Sequence, residues 1–280
     1  MEKLKSEKTI GTVAAFIAGA SIGLLALMFS KTPSSTVCPS QSELTKKFSL
    51  LISKLPNFRI ISIKPFAPHS HLCQVVAEVS GQKNAFLITP DAKWVFTNAI
   101  DSATGKDVLA LQNAQYEQAL LKKREQGLLN MNLDKYVAFT YYNGKSYYSN
   151  PPKYDHYIYF ITDPKCPFCH DTEKLLMDWA NKNHVAVKVI VLALPIHPGS
   201  FRTSVGLYCN QKGLNALHQA YNSSSSFLSQ CPAGKQYEDT IRKEIMPNIL
   251  GTPTFIGENK KIITGAVTNE DQLNALLNKI

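Results

Sequence analysis

Tyr159-Phe160-Ile161-Thr162-Asp163-Pro164-Lys165-Cys166-Pro167-Phe168-Cys169-His170 is the stretch on which the reading of this chain turns. An apolar, β-branched run leads straight into two cysteines separated by two residues. Pro167 suits the first turn of a helix, where its missing N–H has no partner to lose. Phe168, Thr172, Leu175, Leu176 and Trp179 recur at helical spacing, which predicts a helix with these five side chains on one side. Cys166 therefore belongs at the positive end of a helix dipole, beside backbone N–H groups that favour a thiolate. A free cysteine has a pKa of about 8.5, whereas such sites lower it to ~3.5–7.5. Cys166 is thus the expected nucleophile toward a disulfide, and Cys169, one turn on and more buried, the expected resolving thiol.

Three other readings of the two cysteines are weaker. A structural zinc site wants a second close Cys/His pair, which the chain lacks. Cys166-x-x-Cys169-His170 also satisfies the pattern for covalent haem attachment, but the strand before it and the long αβ region around it favour redox use. A purely structural bridge would close too small a ring to stabilise much. No metal and no cofactor is expected.

Gly251-Thr252-Pro253-Thr254-Phe255 is the second signal, a turn entering a strand at 254–256. Taken with the cysteines, it reads as a cis-proline loop facing Cys166, with Thr252 backbone groups set to pair with an extended substrate. A cis bond before proline costs only about 0.5–1 kcal/mol. A last helix carries Leu273, Leu276, Leu277 and Ile280 on one face, with Thr268 and Asp271 resembling a capping box.

Upstream, residues 10–29 carry no charge and follow Lys3, Lys5 and Lys8. At roughly 1.5 Å per residue they would span a bilayer core, with the lysines holding the N-terminus inside. No convincing small-x-small cleavage site follows, so an uncleaved inner-membrane anchor with the rest in the periplasm is expected. The alternative is a soluble periplasmic protein after signal cleavage. Residues 1–9 would be cytoplasmic and the Pro/Ser/Thr-rich 30–42 a tether. A helix at 43–55 and strands at 59–64, 74–79, 85–89 and 94–100 make 43–104 a small β-rich domain, short of core for its size. The region 105–131 centres on a polar helix at 106–126, built of strong helix formers. The remainder, 132–280, opens with strands at 136–142 and 156–162, parted by a Gly/Asn/Pro-rich turn region, and then alternates helix and strand. The net charge of +9 comes from scattered lysines, without an Arg-rich block or aromatic RNA motif, so nucleic acid is not expected as a partner.

Together these features resemble the DsbC/DsbG family of periplasmic disulfide isomerases and reductases. The likeness covers most of the chain beyond residue 29. It rests on the small β domain, the linker helix, Cys166–Cys169, Thr252-Pro253 and a further cysteine pair at 209 and 231. The resemblance implies a thioredoxin-like catalytic domain with a helical insertion, preceded by a cystatin-like dimerisation domain. It also implies a V-shaped homodimer that acts on misfolded or oxidised exported proteins and is kept reduced by a DsbD-like membrane partner. Cys209 and Cys231 match the family's structural disulfide, worth roughly 3 kcal/mol by loop closure. Cys38 and Cys73 then pair by elimination. Pro167, Phe168 and His170 occupy redox-tuning positions. Pro167-Phe168 is nearer to the Pro-Tyr of DsbG than to the Gly-Tyr of DsbC, while His170 is DsbC-like. A long, tyrosine-rich 130–154 and a retained anchor depart from the family. Two rival functions use the same residues: a DsbA-like disulfide-donating oxidase, and a holdase or assembly factor with little redox turnover.

Overall fold

The computed structural model describes residues 36–67, 71–222 and 229–278. The charge-free segment 10–29, its flanks, Pro68 and Ile280 lie outside the described residues. Among the described residues no helix is long and apolar enough to cross a membrane.

The first part is built on an antiparallel sheet of β1 (Arg59–Pro65), β2 (Cys73–Val79), β3 (Gln82–Ile88) and β4 (Val95–Phe96), in that order. Ser80 and Gly81, both at positive φ, make the two-residue turn between β2 and β3. One face buries Ile60, Val75 and Ile88 under Leu44; the other buries Val76, Ala85 and Leu87 under Leu109. Cys38 and Cys73 form a disulfide that ties the incoming chain to β2.

Two expectations need correction here. The helix expected over 43–55 is two short ones, α1 (Gln41–Lys47) and α2 (Ser49–Ile52). Between them Phe48, at φ −95° and ψ 11°, leaves helical geometry and packs against the Leu44 cluster. The strand expected over 94–100 shrinks to Val95–Phe96. Asp107 is the reason: its carboxylate accepts the Ala99 amide at 3.1 Å and the Leu109 and Ala110 amides at 3.0 and 3.2 Å. That turns the segment into the N-cap of α3 (Val108–Leu129) rather than a longer strand. Only Leu109 and Leu128, near the ends of α3, are buried, and its sides are largely polar.

The second part holds a six-stranded sheet in the order β10-β9-β7-β8-β5-β6. Its strands are β5 (Phe139–Tyr142), β6 (Lys145–Tyr147), β7 (His156–Thr162), β8 (Val185–Val191), β9 (Thr254–Gly257) and β10 (Ile262–Thr264). β7 and β8 run parallel, joined by α4 (Pro167–Asn183). α5 (Ser200–Asn210), α6 (Gly213–Asn222) and α7 (Pro232–Glu244) then intervene before β9, which pairs antiparallel with β7. β10 and α8 (Glu270–Asn274) close the chain. This β-α-β unit followed by a β-hairpin and helix is the thioredoxin-like arrangement, enlarged by the helices between β8 and β9. Every residue of β8 is buried, as a strand covered on both faces requires.

Local departures from the expected pattern are instructive. Leu133–Tyr136 is a short 3-10 turn, so the strand expected at 136 begins at Phe139. The turn region after it contains β6, because Asn143 and Gly144 at φ 48° and 79° form a two-residue hairpin turn. On α4, Thr172, Leu176 and Trp179 are buried, Leu175 is half-buried, and Phe168 is 60% exposed, so it does not join them. The cap of α8 is Asn269, whose side chain accepts the Gln272 amide at 3.1 Å, and the Gln272 side chain accepts the Thr268 amide at 2.7 Å. The expected Thr268–Asp271 box is therefore shifted by one residue.

Candidate active site

β7 ends at Thr162 and Asp163 follows it, both buried beneath the turn that carries Cys166. Asp163 has no exposure and takes four donors: the amides of Lys165 and Leu194 at 2.7 Å, Ser200 Oγ at 2.6 Å and His197 Nδ1 at 2.8 Å. A buried carboxylate is tolerated only with such a set of partners. Its effect is to clamp the cysteine turn to the loop after β8 and to the start of α5. Glu238 of α7 braces the same loop, accepting the Ala193 amide at 2.9 Å and the Ser204 hydroxyl.

Cys166 is the N-cap of α4, with Pro167 in the first turn. Its amide donates to Asp163 O at 3.1 Å, and its carbonyl accepts the Cys169 and His170 amides at 3.2 Å. Antiparallel pairing of Ile161 with Thr254 brings the start of β9 alongside the end of β7. The Thr252–Pro253 bond just before it is cis. As a result Cys166 Sγ sits 3.4 Å from Thr252 O, to which it can donate as a thiol.

Cys166 and Cys169 are both free, and their electrostatics are opposed. The Cys169 thiol, bonded to Cys166 Sγ, is the largest influence bringing the Cys166 thiol down to about 6. Burial works against it, while the Thr252 hydroxyl, the Cys169 amide and the His197 imidazole add to it. The Thr252 hydroxyl is buried and has no hydrogen-bond partner among the described residues, so its influence on the thiol is exerted through proximity. The neighbouring thiol thus leads, and the amide of Cys169 in the first turn of α4 contributes less. Cys169 moves the other way: burial and the hydrogen bond to Cys166 push its thiol far up. Cys166 is 2% exposed and Cys169 fully buried. One sulfur is shifted toward the thiolate and the other holds its proton.

Around this pair the surface is apolar. Phe168 within the motif, Ile196 beside His197, and Leu250 two residues before Thr252 are all exposed. Pro167 shares the exposed rim. His170 lies against α6, its ring 5.1 Å from that of Tyr221 and 5.8 Å from that of His218. Cys209 and Cys231 are joined in a disulfide between the end of α5 and the start of α7. Gly234 has no side chain because a Cβ there would fall 2.4 Å from Cys209 Sγ. Among the described residues no group of three or more His, Cys, Asp or Glu could hold a metal ion.

Asp163, His197, Glu238, Thr162, Tyr221 and Glu173 surround the cysteines but were not singled out from the sequence. Asp163 stands in the quoted stretch, yet three of its four partners come from 31–37 residues away, beyond any local spacing. Glu173 follows Cys169 by one helical turn, a signal that helical periodicity does carry.

Protein-family models and curated proteins yield no match to this chain. Solved structures do. A linker-deletion mutant of ScsC from Proteus mirabilis is 19% identical, over 64% of this chain and 95% of its own, with a TM-score of 0.42. DsbG from Helicobacter pylori is 17% identical, over 77% of this chain and 99% of its own, with a TM-score of 0.36. A disulfide interchange protein from Neisseria gonorrhoeae is 19% identical, over 52% and 96%, with a TM-score of 0.39.

Proposed function

We propose that this chain is a thiol–disulfide oxidoreductase that reduces or reshuffles disulfides in exported proteins, in the manner of DsbC and DsbG. The observation that carries the proposal is the pair of free thiols with opposed ionisation, set against a cis Thr252–Pro253 bond. The Cys166 thiolate attacks one sulfur of a substrate disulfide, and the other leaves as a thiolate. Cys169 then gives up its proton and attacks Cys166 Sγ, which releases the second substrate sulfur and leaves a Cys166–Cys169 disulfide. Cys166 and Cys169 are oxidised and the substrate is reduced by the same two electrons. In isomerisation the released substrate thiolate attacks elsewhere before Cys169 acts.

Thr252 and Pro253 serve as the substrate-facing loop. The exposed Phe168, Ile196 and Leu250 suit unfolded polypeptide, whose apolar side chains are available for contact. Two disulfides besides the Cys166–Cys169 pair suit an oxidising compartment, in keeping with a periplasmic location and a membrane anchor at 10–29. In this reading 43–104 is the dimerisation domain, 105–131 the linker and 132–280 the catalytic domain. A short β4 edge flanked by the exposed Trp94 supports a homodimer through that sheet. Reducing equivalents would come from a DsbD-like membrane protein.

The test is refolding of a scrambled-disulfide protein and reduction of insulin, with Cys166→Ala as control. Activity lost in Cys166→Ala supports the reading; no activity in the unaltered chain overturns it. Thiol trapping in cells separates the subtypes: a reduced Cys166/Cys169 pair fits an isomerase or reductase, and an oxidised pair fits an oxidase. Aggregation suppression that survives Cys166→Ala alongside no redox turnover would mark a holdase.

A further inference from the structure

Of the three acidic side chains buried around the site, two are saturated with donors. Asp163 takes four and Glu238 two, in both cases on both oxygens. Glu173 differs. Its side chain is 6% exposed, its Oε1 lies 3.4 Å from His218 Nδ1, and its Oε2 has no hydrogen-bond partner among the described residues. Burying a carboxyl oxygen without a partner is costly, and packing alone would be better served by an apolar residue of the same size.

The placement points to a use. Glu173 follows Cys169 by four residues on α4, so the two side chains share one face about 5–6 Å apart at Cβ. Cys169 is the thiol that must lose a proton to complete turnover, and it is sealed from solvent. Thr162, which bonds the Cys169 thiol, is itself 2.8 Å from Tyr221 OH, and Tyr221 lies within electrostatic reach of both Cys169 and Glu173. On the outer side stands His218, whose side chain is 63% exposed. The groups facing Glu173 are therefore Cys169 and His170 on its own helix and His218 and Tyr221 on α6. Lys165 lies nearby, its Nζ donating to Ala220 O at 2.6 Å.

We infer that Glu173 is the buried proton acceptor for Cys169, with His218 passing the proton between Glu173 and solvent. This rests on the oxidoreductase reading. In the resolving step the Cys169 proton moves to the Glu173 carboxylate as the Cys169 sulfur attacks Cys166 Sγ. The bond from Cys166 to the substrate sulfur breaks, and its electron pair leaves with the substrate. Glu173 is restored when the proton departs through His218, and the substrate thiolate is protonated from solvent. Burial raises the Glu173 carboxyl to about 7, so it changes charge in the range where a periplasmic enzyme works.

The experiment is single-turnover mixing of the reduced full chain with a disulfide peptide, quenched and read by mass for mixed disulfide and for released peptide thiol. Glu173→Gln keeps the size and removes the acceptor. General acid–base groups contribute about 10²–10⁴-fold, so resolution should slow by at least about tenfold in Glu173→Gln. Its rise with pH through about 7, seen in the unaltered chain, should vanish. Mixed-disulfide formation by Cys166 should stay within about twofold, because that step does not use Glu173. Glu173→Asp should recover part of the rate. Unchanged resolution and pH profile in Glu173→Gln, equal slowing of both steps, or no recovery in Glu173→Asp would each overturn the inference. Should Glu173→Gln fail to fold, the unaltered chain decides: a resolving rate that climbs without inflection to pH 9 overturns it. A chain that forms no mixed disulfide at all would instead sink the oxidoreductase reading beneath it.

Discussion

Replacing Cys169 by alanine gives the most direct measure of what sets Cys166. A thiol at about 6 is ~90% ionised at pH 7, whereas an ordinary one at about 8.5 is only ~3% ionised. The Cys169 thiol is the largest influence behind that difference. A hydrogen bond to a charged group is worth ~1.5–3 kcal/mol, and each pKa unit about 1.36 kcal/mol. Cys169→Ala should therefore move the Cys166 midpoint from about 6 up to about 7–8. At pH 6, thiolate would fall from about half to between a tenth and a hundredth, and alkylation would slow ~5–50-fold. The assay is iodoacetamide modification across pH 4–10, followed by mass, with thiolate absorbance in parallel. A small reagent is needed because Cys166 is only 2% exposed. In the reciprocal Cys166→Ala variant, Cys169 should stay unreactive through neutral pH, since burial holds its thiol high. Two results would refute the reasoning: a midpoint unmoved by Cys169→Ala, or a starting midpoint near the ordinary thiol value.

Other outcomes follow from the same geometry. Thr252→Val removes a buried hydroxyl that helps to lower the Cys166 thiol and should raise the Cys166 midpoint in the same titration, by less than Cys169→Ala does. Cys209→Ala with Cys231→Ala opens a loop of sequence separation 22 and should cost about 3 kcal/mol in urea unfolding while leaving the Cys166 titration in place. Glu173 and Glu238 are both raised to about 7 by burial, so each favours the folded state while protonated. That contribution is fully present below the ordinary 4.5 and is lost as pH rises through about 7. In the oxidised protein, where Cys166 does not titrate, stability should drop by at most about 3 kcal/mol per group between pH 4.5 and 8, and Glu238→Gln should flatten part of the slope. Equal stability at both ends would contradict the burial of these acids.

Local chemistry left a clear imprint on the order of residues. Strand β7, the start of α4 at Pro167 and the polar length of α3 were legible because hydrophobic periodicity and proline act over a few residues. The Asn143-Gly144 turn was equally local, and reading it would have revealed β6. What tertiary structure alone decided is what each polar group faces. Phe168 fits the helical stripe by spacing but lies past the edge of the core that Trp179 and Leu176 enter, so it stays in solvent. Asp107 ends a strand by bonding an amide eight residues earlier, and Asp163 gathers donors from the loop after β8 and the start of α5. The ionisation of Cys166 depends on a thiol three residues away and on Thr252, 86 residues on, brought near by the pairing of β7 with β9. Spacing along the chain determines which residues share a face; the charge a buried group carries depends on which distant atoms the fold sets against it.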